Sequence, residues 1–385
     1  MSDFTPDISP FTQGFRPFDG RVWLNCAHQG PLPIVAADAL AEAVRWKQAP
    51  YELTAERFSA VPARLRKSLA NLIGAEPNEI VLGNSASYGL HLIANGLGLT
   101  VGDEVLVMAT DFPSDILPWL RLEAQGVVVH QLRPRGCVLE PDEILGRISS
   151  RIRVLCLTWV HSFSGWMIDL DAIGSLCREH GVMFVVNASQ AIGARALDVR
   201  STPVDAIVSV GFKWLCGPYG TGFCWIRKEV LHRLKPMQAY WLTMLSADDL
   251  ARPVETRLPT ETDHRAFDVF GTANFLNFVP WTASIEYLSS IGIPRIAEYD
   301  QQMIQRLIDG LDKRRFAVSS PASGSRRSTI LVLSDRTESR NQALYQALTT
   351  AGVHVALRAG QIRISPHLYN TYADIDRAVS ILNES

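Results

Sequence analysis

Short, fully apolar runs alternate with helical periodicities along most of this chain. Glu79-Ile80-Val81-Leu82 precedes a helical pattern containing Leu90, Ile93, Ala94 and Leu97. Glu104 to Met108 precedes another with Leu117, Trp119 and Leu120. Val127-Val128-Val129 and Val154 to Thr158 follow, and then an amphipathic pattern from Asp171 to His180. Val182 to Val186 and Ala206 to Val210 complete this series. Strands of four to six apolar residues between helices predict a mainly parallel sheet with both faces covered, an α/β fold. From Pro236 to Gly271 no period is clear. Beyond it the pattern predicts a helix over Phe275–Ile291, one from Ile304 to Lys313, a strand Ser328–Leu333, a helix from Asn341 to Ala351, a strand Gln361–Ser365 and a last helix from Tyr372 to Leu382. That order reads as a smaller α+β domain.

A length of 385 residues suits one large and one small domain. Charged residues are 20% and the net charge is -2, so composition points neither to nucleic acid nor to an anionic membrane. None of the six cysteines forms a C-x-x-C pair, so zinc and thioredoxin-like readings fail. Met1-Ser2-Asp3-Phe4 does not open a signal peptide and no run approaches a membrane span, so a cytoplasmic protein is expected.

The residue with the most chemical content is Lys213. It closes the run Ala206-Ile207-Val208-Ser209-Val210-Gly211-Phe212 and precedes Trp214-Leu215-Cys216-Gly217-Pro218-Tyr219-Gly220-Thr221-Gly222. A buried ammonium is costly, and a desolvated lysine is a nucleophilic amine suited to a Schiff base. A lysine that packs its stem and sends its head to water is the structural alternative. Gly83-Asn84-Ser85-Ala86-Ser87 opens a helix after a strand, which makes an anion site from free backbone N–H groups and hydroxyls, or an N-cap using the same groups. Arg363 lies on an apolar strand near the C-terminus, where its guanidinium can grip a carboxylate with two parallel bonds.

These motifs, in this order, resemble the class V aminotransferase family, which carries pyridoxal 5′-phosphate (PLP) on a fold-type-I scaffold. Cysteine desulfurases, isopenicillin N epimerase and kynureninase are among its members. The resemblance covers nearly the whole chain. It implies a large domain, residues 14–270, with a mainly parallel seven-stranded type of sheet between helices. It also implies a small α+β domain made of residues 1–13 and 271–385. Lys213 is then the Schiff-base lysine, and the helix start holds the cofactor phosphate through Ala86 and Ser87. Phe112, in Asp111-Phe112-Pro113-Ser114-Asp115, stands where an aromatic residue stacks on the cofactor ring. Gln190, in Asn187-Ala188-Ser189-Gln190, approaches the ring hydroxyl. Gly271 and Thr272 match a motif that reaches the phosphate of a neighbouring subunit, so a homodimer with shared active sites is expected. Arg363 takes the substrate carboxylate and Arg358 is a second anion contact. Asn25 and His28 line the substrate entrance. His161 is a further candidate acid or base, and Tyr240 and Trp241 are candidate pocket walls.

Two departures matter. The family has aspartate where this chain has Asn187, and that aspartate pairs with the protonated ring nitrogen. An amide cannot raise the proton affinity of the ring as a carboxylate does, although its NH2 can donate to an unprotonated nitrogen. The family's histidine and serine phosphate contacts are Phe212 and Val210 here, which leaves Ser209 and Ser162 as candidate replacements. Desulfurases carry a reactive cysteine before the arginine strand, and none lies between Gly352 and Ser365. The expected activity is therefore α,β-elimination on an α-amino-acid substrate, of the C–S lyase type. Transamination, epimerisation and decarboxylation-linked oxidative deamination are the alternatives within enzyme chemistry. A non-catalytic PLP-binding sensor or scaffold is the alternative outside it.

Overall fold

The computed structural model describes residues 11–236, 238–245, 251, 255, 257–259, 263–271 and 273–385. Thr272 and residues 1–10 lie outside the described residues.

The strands are β1 (Val22–Trp23), β2 (Ile80–Gly83), β3 (Glu104–Met108), β4 (Val128–Leu132), β5 (Ile152–Thr158), β6 (Met183–Asn187), β7 (Ala206–Val210), β8 (Gly222–Ile226), β9 (Phe316–Val318), β10 (Leu331–Asp335), β11 (Val353–His354), β12 (Ala356–Arg358) and β13 (Gln361–Ile364). Seven of them form one sheet in the order β2-β8-β7-β6-β5-β3-β4. Its neighbours are parallel except at β8, which runs against both β2 and β7. Two faces of alternate residues are buried. Leu82, Leu106, Leu155, Phe184, Ile207 and Phe223 join one core, while Val81, Val105, Val154, Val185, Val208 and Cys224 join the other. The alternation has a period of two, yet both of these sets are apolar because both faces of the central strands are covered.

The long helices are α1 (Ile34–Gln48), α2 (Ala55–Ile73), α3 (Ala86–Gly96), α4 (Leu170–Glu179), α5 (Phe275–Ile291), α6 (Ile293–Gly310), α7 (Asn341–Thr350) and α8 (Tyr372–Glu384). Helix α5 packs against α1 and α2. A second sheet, ordered β12-β13-β10-β9, is antiparallel and lies in the C-terminal part of the chain. The N-terminal segment ties into this part. Val22 pairs in parallel with Val353, and Asn25 bridges to Ser365, close to Arg363 in sequence.

The structure differs from the periodicity reading in places. The helix read from Ile304 begins at Ile293, because Gly292, with φ of 95°, ends α5 and the chain turns at once into α6. The strand read from Ser328 is shifted to Leu331–Asp335. Ser328 is held instead by a hydrogen bond from its hydroxyl to the Gly165 carbonyl at 2.6 Å. Among the described residues no helix is long and apolar enough to cross a membrane.

Candidate active site

In a parallel sheet the strand C-termini converge on one edge, where loops leave room for ligands. Here β5, β6 and β7 end at Thr158, Asn187 and Val210, and all three line one cavity of about 600 Å³. Helix α3 starts at the same cavity, and Arg358 and Arg363 reach it from the C-terminal sheet. The lining residues include Lys213, Arg358 and Arg363 but no aspartate or glutamate. Such a cavity favours anions.

Lys213 is the third residue after β7 and lines the cavity. The Nζ lies 5.9 Å from the centroid of the Phe112 ring. Desolvation draws the lysine down to about 8, assisted by the Arg363 charge and opposed by Asp115. About a tenth of the amine is therefore neutral at pH 7, on the order of a hundredfold more than for an ordinary lysine, as a nucleophile requires. The backbone below is clamped from several sides. Gly30 N–H donates to the Phe212 carbonyl at 2.9 Å. A Cβ on Gly30 would stand 2.2 Å from the Lys213 carbonyl oxygen, so only glycine allows this approach. The Trp214 carbonyl accepts from His367 Nε2 at 3.1 Å, and His367 Nδ1 meets Asp300 Oδ2 at 2.9 Å, with both side chains fully buried. Burial opposes the imidazolium, but Asp300 outweighs it and raises His367 to about 10, so both ring nitrogens carry protons and donate.

The start of α3 forms the opposite end. Ser85 is its N-cap, accepting from the Tyr88 N–H at 3.1 Å. Ala86 and Ser87 occupy the first turn, whose backbone N–H groups have no intrahelical partners. Asn84, Ser85, Ala86 and Ser87 all line the cavity. Gly222 faces this turn so closely that a Cβ there would sit 2.7 Å from the Ser85 backbone.

Between these ends lies a polar wall. Gln190 is buried and fixed: its Oε1 accepts from the Trp214 indole at 2.9 Å, and its Nε2 donates to the Ala27 carbonyl at 3.0 Å. Asn187 donates from Nδ2 to Asp115 Oδ1 at 2.8 Å, and its Oδ1 accepts from the Ser189 N–H at 3.0 Å. Arg363 is only 4% exposed. It donates one hydrogen bond, from NH1 to the Ser162 carbonyl at 3.1 Å, while its Nε is buried without a hydrogen-bond partner. Burial lowers it to about 10, with Arg358 adding to the effect, so it stays charged at neutral pH. An uncompensated buried donor edge beside a cavity is a place for an anion.

The remaining sequence candidates divide. Phe112, Ser162, His28 and Arg358 line the cavity. His28 is exposed at its mouth and held low by partial burial and then by Arg358, Arg363 and Lys213. Ser209 does not line it. On β7 it points to the face opposite Val210, and its hydroxyl reaches only the Val210 carbonyl at 3.4 Å. His161 is likewise outside the lining, with both ring nitrogens engaged, by Ser164 Oγ at 2.8 Å and the Thr110 carbonyl at 2.9 Å. Asn25 is buried in the turn below and does not reach the lining. Gly271 is exposed and not among the lining residues, nor are Tyr240 and Trp241, whose rings meet edge to face. Thr158, Ser114, Ser189, Phe163 and Tyr219 line the cavity without having been singled out. Asp115 carries no role in the sequence reading beyond its place in the Phe112 segment, since nothing in the linear sequence places its loop beside β6.

A family profile described as Aminotransferase class-V matches residues 42–378. The chain belongs to the class-V aminotransferase family. A probable cysteine desulfurase of Methanothermobacter thermautotrophicus is 28% identical over 385 aligned positions, which cover 94% of each protein. An isopenicillin N epimerase of Amycolatopsis lactamdurans is 24% identical, again over 94% of each. Among solved structures, a lysine variant of C-DES with glycine covalently linked to its PLP cofactor superposes with a TM-score of 0.88 at 19% identity. That match spans 97% of this chain and 99% of the other. The complex of C-DES, a cystine C–S lyase, with its product cysteine persulfide gives a TM-score of 0.85 at 20% identity, over 94% and 97%. These superpositions establish the shared fold.

The residues fit the cofactor expected from the sequence. The helix start and its N–H groups suit a phosphate, and Lys213 suits an aldehyde. Phe112 above the amine and the Asn187–Gln190 wall suit a flat polar ring. Of the two candidate replacements for the missing phosphate contacts, Ser209 does not line the cavity while Ser162 does, together with Asn84, Ser85, Ala86 and Ser87 at the helix start.

Proposed function

We propose that this protein is a PLP-dependent enzyme of C–S lyase type, which removes a sulfur leaving group from the β-carbon of an α-amino acid. The observation that carries this reading is the junction in one cavity of a lowered lysine, a buried arginine with an unpartnered edge, and an amide where the family has aspartate. PLP, when bound, supplies an aldehyde that condenses with amines and a ring that withdraws electrons from the α-carbon.

Each residue then has a task. The first turn of α3 would hold the phosphate, in the cavity that Lys213 also lines. Arg363 holds the substrate carboxylate, which orients the Cα–H bond toward the lysine amine. Lys213 takes that proton. The electron pair left on carbon forms the Cα–Cβ double bond, and the Cβ–S bond breaks with its pair going to sulfur. After addition of water the products are a keto acid, ammonia and a thiol. The sulfur leaves with the small molecule, because none of the six cysteines lines the cavity. An amide at position 187 supports only a shallow electron sink. Elimination tolerates that better than transamination, in which the electron pair must persist in the ring.

Gly271, the match to the family motif, is exposed and not among the residues lining this cavity, which supports a role in the site of a second copy and hence a homodimer. The expected division near residue 270 into a large and a small domain is retained as part of this reading.

The test is a panel of amino acids with and without a β-leaving group, scored for keto acid, ammonia and thiol. Release of keto acid and ammonia together with a thiol from a cysteine S-conjugate, or with cysteine persulfide from cystine, supports the reading. Reversible amino-group exchange with a keto acid, with no β-substituent lost, makes the protein a transaminase.

A further inference from the structure

The carboxyl group missing at position 187 is present one hydrogen bond away, on Asp115, whose pKa burial and then the Asp111 charge push well above the usual carboxylate range. Asp115 ends the short turn Pro113–Asp115 after β3, is fully buried, and is not among the cavity-lining residues. Its Oδ1 accepts from Asn187 Nδ2 at 2.8 Å, and its Oδ2 has no hydrogen-bond partner. The orientation of the Asn187 amide is determined, not arbitrary. Ser189 presents a backbone N–H, which can only donate, so the amide oxygen must face it. The amide nitrogen must then face Asp115. Of the two hydrogens on that nitrogen one is committed to Asp115, and the uncommitted one is an N–H on a residue that lines the cavity.

We propose that Asp115 is a positioning residue, which locks the Asn187 amide so that it offers an N–H to the ring nitrogen of the cofactor and thereby selects the unprotonated ring. This rests on the reading of the cavity as a PLP site. Without the Asp115 acceptor, the amide nitrogen would lose its anchor and the side chain could swing its oxygen toward the ring. The lock also alters what a simple reversion would do. Asn187→Asp alone would set two carboxyls against each other in a buried place, with Asp111 adding like charge to Asp115. Buried carboxyls in contact share a proton, so the new one is a poor partner for a pyridinium. The exchange Asp115→Asn with Asn187→Asp restores one carboxyl in front and one amide behind.

The experiment loads the full-length protein with PLP labelled with ¹⁵N in the ring and reads the nitrogen resonance and the cofactor dissociation constant. The wild type is expected to show a neutral, hydrogen-bonded pyridine at neutral pH. Asp115→Ala should move the resonance and weaken cofactor binding about tenfold, as for loss of one anchored hydrogen bond. Asp115→Asn keeps an acceptor oxygen behind Asn187 and should restore both values. The double exchange should show a protonated ring. A pyridinium resonance in the wild type overturns the proposal, as does an Asp115→Ala protein with both readouts unchanged. Should Asp115→Ala not fold, a double exchange that keeps the wild-type resonance overturns it equally. Borohydride mapping on the same samples separates the two levels. An adduct on Lys213 with a protonated ring rejects only the role of Asp115, whereas no adduct on Lys213 rejects the cofactor reading itself.

Discussion

Replacing Arg363 by alanine tests the most heavily desolvated charge in the site. The guanidinium is 4% exposed, holds the Ser162 carbonyl through one nitrogen, and leaves Nε buried and unpartnered. A substrate carboxylate on that edge would complete the hydrogen bonding of both groups at once. Truncating one partner of such a pair costs about 2–5 kcal/mol, much of it from the stranded charge of the other. At 1.36 kcal/mol per decade, kcat/KM for a carboxylated substrate should fall between about 30-fold and about 5,000-fold. The assay compares each amino acid with the matching amine that lacks the carboxylate, in both proteins. The amine should react poorly in either, with a ratio between them near one. Thermal unfolding and the bound-cofactor spectrum guard against a folding defect, since the Ser162 carbonyl also loses its donor. An equal loss on amine and amino acid would refute the assignment, and so would an unchanged rate on the true substrate.

Other consequences follow from the same geometry. In the cofactor-free protein Lys213 should react with acylating reagents with a midpoint near pH 8, and peptide mapping that gave a midpoint near ordinary lysines, about 10.4, would contradict the desolvated site. Because the native state disfavours the protonated amine, this group makes the empty protein more stable as pH rises from about 8 toward its unfolded value; arginine removal at 363 should move the midpoint upward, since that charge is the second cause of the shift. Gly30→Ala would put a Cβ 2.2 Å from the Lys213 carbonyl, and should destabilise the fold by about 1–3 kcal/mol in denaturant melts while displacing the lysine; a variant with wild-type stability and cofactor affinity would show that the clamp is not needed.

The sequence and the structure agree best where local signals are strong. Ala206–Val210 and Phe275–Ile291 are found with the boundaries read from their patterns. Lys213, Ser87, Phe112, Gln190 and Arg363 meet in one cavity because strand C-termini converge, a property of the parallel sheet that alternation of strands and helices already announces. Helices α1 and α2 were not read from their patterns. Their faces are apolar only in part, and in α2 the buried residues are concentrated in its second half. His161 illustrates a different limit. A histidine after a strand near the expected site is a sound candidate by position, yet its ring direction is set by Ser164 and Thr110, partners that linear order does not reveal. Asp115 shows the converse. Its meaning comes wholly from β5 placing the loop after β3 within reach of β6, a contact across 72 residues.

The central claim is that Lys213 carries the cofactor. The direct measurement is reduction of the PLP-loaded protein with borohydride, followed by digestion and mass mapping of the phosphopyridoxyl group. The adduct is expected on the peptide containing Lys213, and Lys213→Ala should yield none while remaining folded. A stable adduct on a different lysine, or an unchanged adduct in Lys213→Ala, would contradict the claim.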